Sequence, residues 1–168
     1  MRSSVYHSIM SLSPGSPGRR GPVHHEPIEK HNRAAIVFLT ICTKDRKPLL
    51  ANPKCHEVLS HWWRKSTFWL AGRYVILPDH LHLYCAPGSE DQSLHRWVSY
   101  WKNGVAREMK NGVEPLWQRD FWDVQMRSLQ NYETQWEYIR HNPVRHGLTD
   151  SADAWPYQGE IHLLDWHD

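Results

Sequence analysis

The sequence has no long apolar run, little net charge and no pattern of cysteines, and each absence excludes a class of protein. Hydrophobic residues make up 40% of the 168 residues, yet no stretch is long enough to cross a bilayer, so we expect a soluble protein without a membrane partner. The formal net charge of +2 does not by itself indicate nucleic-acid binding, and a basic patch would have to be local. Three cysteines, an odd number without framework spacing, favour buried thiols in a reducing compartment.

The N-terminal part of the chain differs in composition from the rest. Residues 5–10 are too few and too polar for the apolar core of a signal peptide, so we expect a cytoplasmic protein. Residues 1–26 are rich in Ser, Pro, Gly and Arg, which predicts a disordered arm. The arm has either no role or that of a basic tether for DNA. The remaining residues, 27–168, are long enough for one domain with its own core.

Hydrophobic periodicity predicts an alternation of strands and helices in this domain. The predicted strands are residues 34–43, 68–77, 80–86 and 121–127, and the predicted helices are residues 54–65, 93–110 and 132–142. The order β-α-β-β-α-β, with an added C-terminal helix, predicts an α+β fold with a ferredoxin-like antiparallel sheet. We expect helices on one face of this sheet, the third strand near its centre, and an irregular tail from Thr149.

The third strand opens with two histidines. Pro78 and Asp79 form a predicted turn, and side chains alternate along a strand, so His80 and His82 share one face while leucines occupy the other. Two imidazoles on a surface-facing strand position could form half of a divalent-metal site. Asp79 could orient His80 or simply make the turn. The alternative is chance, because the chain has 13 histidines.

A second polar cluster lies at the end of the last predicted helix. Asn131 is a plausible N-cap, and Pro143 should end the helix near Asn142. Tyr132 falls on the apolar stripe, whereas Tyr138 and Asn142 are one turn apart and point the same way. A tyrosine hydroxyl and an amide oxygen could complete a site with the two histidines. Alternatively, Tyr138 is a half-buried core aromatic and Asn142 a C-cap.

Three motifs in a fixed order connect these clusters. They are Leu-Pro-Asp-His-Leu-His at residues 77–82, Leu-Trp-Gln-Arg-Asp-Phe-Trp-Asp at residues 116–123, and Tyr-Ile-Arg-His-Asn-Pro-Val-Arg-His-Gly-Leu at residues 138–148. Trp-Pro-Tyr follows at residues 155–157. In this order and spacing the motifs resemble the single-tyrosine HUH transposases, specifically the branch associated with repetitive extragenic palindromes (REP). The resemblance covers about residues 33–157.

The resemblance implies a chemistry and a set of partners. It implies that His80, His82 and Asn142 bind Mg²⁺ or Mn²⁺, and that Tyr138 attacks DNA to form a 5′-phosphotyrosine intermediate. The protein would then cut and rejoin single-stranded DNA, with or without a palindromic hairpin beside it, as a monomer or homodimer in the bacterial cytoplasm at the nucleoid. Residues 32–35 depart from the glycine- and aromatic-rich entry that is common in the branch.

Basic and aromatic residues near the motifs are candidate DNA contacts. The candidates are Lys102, Arg107, Arg119, Arg140, Arg145 and Trp117. Each cation has the alternative of a solvated surface position. Of the 10 tryptophans most should be core, and the better candidates to stack on bases are Trp63, Trp117 and Trp122.

Two other functions compete with a DNA transesterase. A domesticated DNA- or RNA-binding module on the same fold would keep the sheet without cutting, although the RNP1 pattern of RNA-binding sheets is absent. A zinc hydrolase is the other alternative, but no further His or Asp stands at ligand spacing from the histidine pair.

Overall fold

A computed structural model describes residues 35–89, 92–109 and 115–166. The strands are β1 Val37–Cys42, β2 Trp69–Ile76, β3 His80–Pro87, β4 Trp122–Gln125 and β5 Gln158–Glu160. The helices are α1 Pro53–Arg64, α2 Leu94–Met109, α3 Leu129–Arg140 and the short α4 Asn142–Arg145. A 3-10 turn, Lys44–Arg46, follows β1. The predicted arm, residues 1–26, lies outside the described residues.

All five strands form one antiparallel sheet in the order β4-β1-β3-β2-β5. The first four strands, with α1 and α2 between them, follow the predicted β-α-β-β-α-β order, so the α+β ferredoxin-like fold class is confirmed. The histidine strand β3 lies in the centre, as expected. It is paired with β1 on one side and β2 on the other, which holds its backbone in place along its whole length.

The sheet is covered on both faces, which corrects the prediction of helices on one face. The first core cluster joins α1 and α2 to alternate residues of β1 and β3 such as Leu39 and Leu83. The second cluster places Tyr132 and Ile139 of α3 against the opposite face, beside Tyr84. The reason is that the histidine strand carries large apolar side chains on this face as well, and these need cover. The added C-terminal helix therefore lies over the histidine face.

Helix α3 begins earlier than predicted. Its N-cap is Ser128, whose side chain accepts the Asn131 N–H at 3.1 Å, so the prediction of Asn131 as N-cap was wrong. The helix ends at Arg140 and α4 begins at Asn142. Pro143 is tolerated there because the first turn of a helix needs no N–H from it.

The tail after α4 is more regular than predicted. β5 pairs with β2, and the Trp155 indole N–H donates to the Ile76 carbonyl oxygen at 2.9 Å. The Ile76 N–H in turn donates to the Tyr157 carbonyl oxygen at 2.8 Å. The tail thus fastens the end of β2 just before the turn to the histidines. None of the helices in the described ranges is both long enough and apolar enough to span a membrane.

Candidate functional site

His80 and His82 lie side by side on the face of β3 that α3 and α4 cover. Their ring centres are 4.9 Å apart and the rings are nearly perpendicular. The side chains are only 8% and 7% exposed, so the prediction of a surface-facing position was wrong. They are buried because the C-terminal helices pack over this face. Hydrophobic periodicity alone could not predict where these helices pack. His82 also stacks on Phe38, which limits its rotation.

A different neighbour contacts the Nδ1 atom of each histidine. His82 Nδ1 lies 3.0 Å from the hydroxyl of Thr40, the residue of β1 that stands directly opposite His82 in the sheet. His80 Nδ1 lies 2.7 Å from the Asp79 carboxylate. With a proton on each Nδ1, the lone pair of each Nε2 is left for a ligand. Asp79, whose role the sequence left open between turn and orientation, contacts His80 directly.

Arg46 holds the Asp79 carboxylate from the other side. Its Nε donates to Asp79 Oδ2 at 2.8 Å and a second nitrogen lies 3.4 Å from His80 Nδ1. Arg46 and Asp45 both have φ of 55°, in the left-handed region that non-glycine residues rarely adopt. The turn after β1 is therefore held in a strained conformation that brings the guanidinium to the histidine site.

The electrostatics of this pocket favour a neutral His82 and an ionised Asp79. Burial lowers the pKa of His82 well below its usual value, and His80, Arg46, His146 and Arg145 lower it further. Burial raises the pKa of Asp79, but the hydrogen bond and charge of His80, together with Arg46, outweigh it and bring the pKa to about 2. A neutral imidazole is the form that binds a metal ion.

Asn142 contacts His82 from the helical layer, whereas Tyr138, which Arg145 links to Asn142, lies in a different environment. Tyr138 on α3 is 43% exposed, whereas Asn142 at the start of α4 is 7% exposed. The Asn142 amide nitrogen lies 3.2 Å from His82 Nε2. Arg145 joins the two residues: it donates to Asn142 Oδ1 and to the Tyr138 carbonyl oxygen, and its guanidinium lies 3.7 Å from the centre of the Tyr138 ring.

The competing tyrosine of α3 is unsuited to attack a substrate. Tyr132 is buried, as predicted, with its ring edge-on to Tyr84 and under the guanidinium of Arg73. Burial raises the pKa of Tyr132 to about 12, against the opposing charge of Arg73. Of the two, only Tyr138 presents its side chain to solvent.

The residues present fit a divalent cation. An ion bound about 2.1 Å from one nitrogen of each imidazole would separate the two ring centres by roughly 5 Å, close to the separation found. Across the described ranges no three His, Cys, Asp or Glu side chains are arranged to hold a metal, so a third ligand from these ranges would be of another type. The amide of Asn142 is such a group, and an oxygen ligand beside two imidazoles suits Mg²⁺ or Mn²⁺.

The predicted DNA contacts divide into exposed and buried residues. Arg107, Arg119 and Arg145 are exposed, and Arg140 is ion-paired with Glu137 and Asp153. Arg107 lies on α2, in the layer across the sheet from the histidines.

Three candidates are buried and cannot meet DNA in this structure. Lys102 is buried, and its ammonium donates to the carbonyl oxygens of Gln118 and Arg119. Trp117 is buried as well, with its indole N–H on the Lys102 carbonyl oxygen, and Trp63 is fully buried. The third tryptophan proposed to stack on bases, Trp122, is half-buried.

Three residues at the site were not singled out from the sequence. Thr40 faces His82 only through the pairing of β1 with β3, which has no local signal. Arg46 reaches Asp79 from a turn that reads as an ordinary polar loop. The His146 ring centre lies 6.4 Å from that of His80. His146 belongs to the last motif, so its imidazole could have been recognised from the sequence as a candidate site residue.

Comparison with known proteins identifies the chain. No family model matches it. The REP-associated tyrosine transposase of Escherichia coli K12 is 31% identical over 130 residues, which are 71% of this chain and 73% of that protein. A Haemophilus influenzae protein that carries the same family name provisionally is 29% identical over 155 residues, which are 80% of this chain and 88% of that protein.

A solved structure supports the same assignment at the level of the fold. The structure of a REP-associated tyrosine transposase bound to a REP hairpin aligns with a TM-score of 0.64 at 22% identity, covering 80% of this chain and 82% of that one. The chain is thus a DNA-processing enzyme of the transposase class. Within that class it belongs to the family of REP-associated tyrosine transposases.

Proposed function

We propose that the chain is a metal-dependent transesterase that cuts and rejoins single-stranded DNA through a tyrosine. The proposal rests on one arrangement. The Arg145 guanidinium contacts both the exposed Tyr138 and the buried Asn142, and Asn142 lies beside the buried histidine pair. Family membership supports DNA as substrate. The structural relative bound to a REP hairpin supports hairpin DNA as a ligand.

The metal would be held by His80, His82 and Asn142. When bound, it would polarise the scissile phosphate and offset the negative charge that develops there. The protein residues prepare this site in advance. Thr40 and Asp79 fix the rings through Nδ1, and burial lowers the pKa of His82, which favours its neutral imidazole.

Tyr138 would supply the nucleophile. Its phenolic oxygen forms a bond to the scissile phosphorus and loses its proton, while the bond from phosphorus to the 3′ oxygen of the neighbouring nucleotide breaks. That oxygen takes up a proton and leaves as a free 3′-hydroxyl, and the 5′ phosphate stays on the tyrosine. Because one phosphodiester replaces another, a 3′-hydroxyl can reverse the reaction without ATP.

The nucleophile can be tested by trapping the covalent adduct. Labelled single-stranded oligonucleotides with and without a hairpin are incubated with Mn²⁺ and separated by denaturing electrophoresis. We expect an adduct with the wild type and with Tyr132→Phe but none with Tyr138→Phe, which loses one oxygen and almost no volume. DNA binding by Tyr138→Phe should stay close to that of the wild type. An adduct that persists in Tyr138→Phe, or is lost only in Tyr132→Phe, would show that another residue attacks.

The metal site is tested in the same assay. Cleavage should disappear with EDTA and return with added Mg²⁺ or Mn²⁺. It should also be lost in the double variant His80→Gln, His82→Gln, whose folding is checked by circular dichroism because both side chains are buried. Full cleavage by this variant would rule out the histidine pair. A folded wild type that binds the DNA but never cuts it would instead indicate a domesticated binding protein.

A further inference from the structure

Arg145 is the point where the proposed ligand and the proposed nucleophile meet. Its guanidinium donates to Asn142 Oδ1 and to the carbonyl oxygen of Tyr138, and it covers the Tyr138 ring. Among the described residues no carboxylate is ion-paired with it, whereas Arg46 and Arg140 each have such a partner. Arg145 therefore holds two neutral groups, and no carboxylate of the described residues offsets its positive charge next to the site.

This contact fixes which way the Asn142 amide faces. A guanidinium has five N–H donors and no acceptor, so the amide atom next to it has to be the oxygen. The amide nitrogen then faces His82 Nε2, at 3.2 Å. Nε2 can accept this hydrogen bond when the ring proton lies on Nδ1, which faces the Thr40 hydroxyl.

The orientation found is the opposite of the one that a ligand needs. An amide binds Mg²⁺ or Mn²⁺ through its oxygen, whereas its nitrogen has no lone pair to offer. An ion on His82 Nε2 would meet the Asn142 nitrogen as the side chain stands. For Asn142 to be a ligand the amide has to turn, and its oxygen then leaves the guanidinium.

We propose that Arg145 is a positioning residue that holds Asn142 in its non-ligating orientation and releases it when the metal site fills. The inference rests on the proposed metal site. Since the same guanidinium lies on the Tyr138 ring, ligand and nucleophile change their surroundings together. Once released, Arg145 has its charge available for a DNA phosphate, which guanidinium groups bind in a bidentate manner.

The test is a double-mutant cycle read out by Mn²⁺ binding, with no DNA present. Isothermal titration calorimetry compares the full-length wild type, Arg145→Met, Asn142→Ala and the double variant. Arg145→Met should bind Mn²⁺ roughly tenfold more tightly, because the hydrogen bond that opposes the turn of the amide is gone. The same substitution in the Asn142→Ala background should change little. Arg64→Met, an exposed position at the end of α1 across the sheet, is the control and should bind like the wild type.

Each other outcome counts against a specific claim. Equal tightening in both backgrounds would show simple charge repulsion, and unchanged affinity in Arg145→Met would show that Arg145 does not restrain the amide. If Asn142→Ala fails to fold, ionic strength decides in its place: release of a hydrogen bond persists at high salt, whereas relief of repulsion fades. A wild type that binds no Mn²⁺ would overturn the proposed metal site and this inference with it. Mn²⁺ binding that is lost on substituting the histidines but is insensitive to Arg145 would overturn this inference alone.

Discussion

Lys102 shows how far the surroundings of one side chain can depend on distant segments. On α2 it stands beside the apolar stripe of Trp97, Trp101 and Val105, which is buried as the periodicity predicts. Residues 117–119 pack over the helix, so the ammonium group is enclosed and donates to two backbone carbonyls. No local sequence pattern predicts this packing. A basic residue next to a stripe was therefore interpreted as a DNA contact when it is part of the interior.

Burial of Lys102 should give the protein a measurable pH dependence. Burial lowers its pKa to about 8, against the opposing charge of Asp120. Between this value and the usual pKa near 10.5, the unfolded chain binds the proton that the folded chain has lost, so this residue's contribution to stability rises with pH across that window. At 1.36 kcal/mol per pKa unit the full change is about 3 kcal/mol.

Urea denaturation at several pH values between neutrality and pH ~10 checks this. The unfolding free energy of the wild type should gain on that of Lys102→Met as the pH rises, whichever protein is more stable at neutral pH. Parallel pH profiles for the two proteins would mean that Lys102 keeps its ordinary pKa.

The helices illustrate which element boundaries a sequence reveals. α1 and α2 were found to within about a residue because their apolar stripes are regular. The predicted start of α3 is three residues too late, because the first residue of the apolar stripe was taken as the first residue of the helix. Ser128 is a typical N-cap residue, but it lies before the apolar stripe begins and was therefore overlooked. The break before α4 was foreseen from Pro143, but its effect on Asn142, which becomes buried, depends on docking against the histidine strand.

Ser128 should contribute to the stability of α3. Ser128→Ala removes the acceptor for the Asn131 N–H and should lower the free energy of unfolding by about 1 kcal/mol. Gln130→Ala, an exposed position in the same first turn, is the matched control and should stay within about 0.5 kcal/mol of the wild type. Equal effects of the two substitutions in urea denaturation would show that the cap is not formed.

Contact between α1 and α2 depends on the absence of a side chain at Gly104. A Cβ there would lie 2.2 Å from the Trp62 ring, which is held by a hydrogen bond from its indole to Glu108. Gly104→Ala should therefore destabilise the protein by about 1–3 kcal/mol, although alanine is the better helix former. Thermal unfolding tests the sign, with exposed Asn103→Ala on the same helix as control. A higher melting temperature for Gly104→Ala would mean that the two helices can separate without cost.

At the scale of the whole molecule, the order of the helices and strands could be predicted from the sequence. Which elements cover each face of the sheet could not. The alternation of β1 and β3 and the stripe of α2 determine a ferredoxin-like sheet with the histidines at its centre. The sequence did not reveal that α3 lies on the second face or that the tail adds a fifth strand, since both depend on contacts between distant residues. Burial of the site follows from the first of these features, which explains why the histidines were expected at the surface.

The tail should be needed for a soluble, folded protein. A chain that ends after Thr149 loses β5 and the Trp155 hydrogen bond to Ile76, and it exposes the backbone of β2 as a sheet edge. We expect larger species than those of the full chain by size-exclusion chromatography with light scattering, and a lower unfolding temperature. A chain that ends after Trp166 retains these contacts and should behave like the full protein. If the shorter chain matches the full one in both measurements, the tail is dispensable for folding.

The interruption between α3 and α4 has a consequence for how such a protein can diversify. In one continuous helix, residues four apart share a face, and neither could be reoriented without the other. Here Tyr138 belongs to one helix and Asn142 to the next, so the solvent-facing tyrosine and the sheet-facing amide lie on two helices that meet at His141. Substitutions in the joint can shift the reach of the tyrosine while the amide stays against β3. A descendant could in this way adapt to DNA of a different shape without altering the histidine strand.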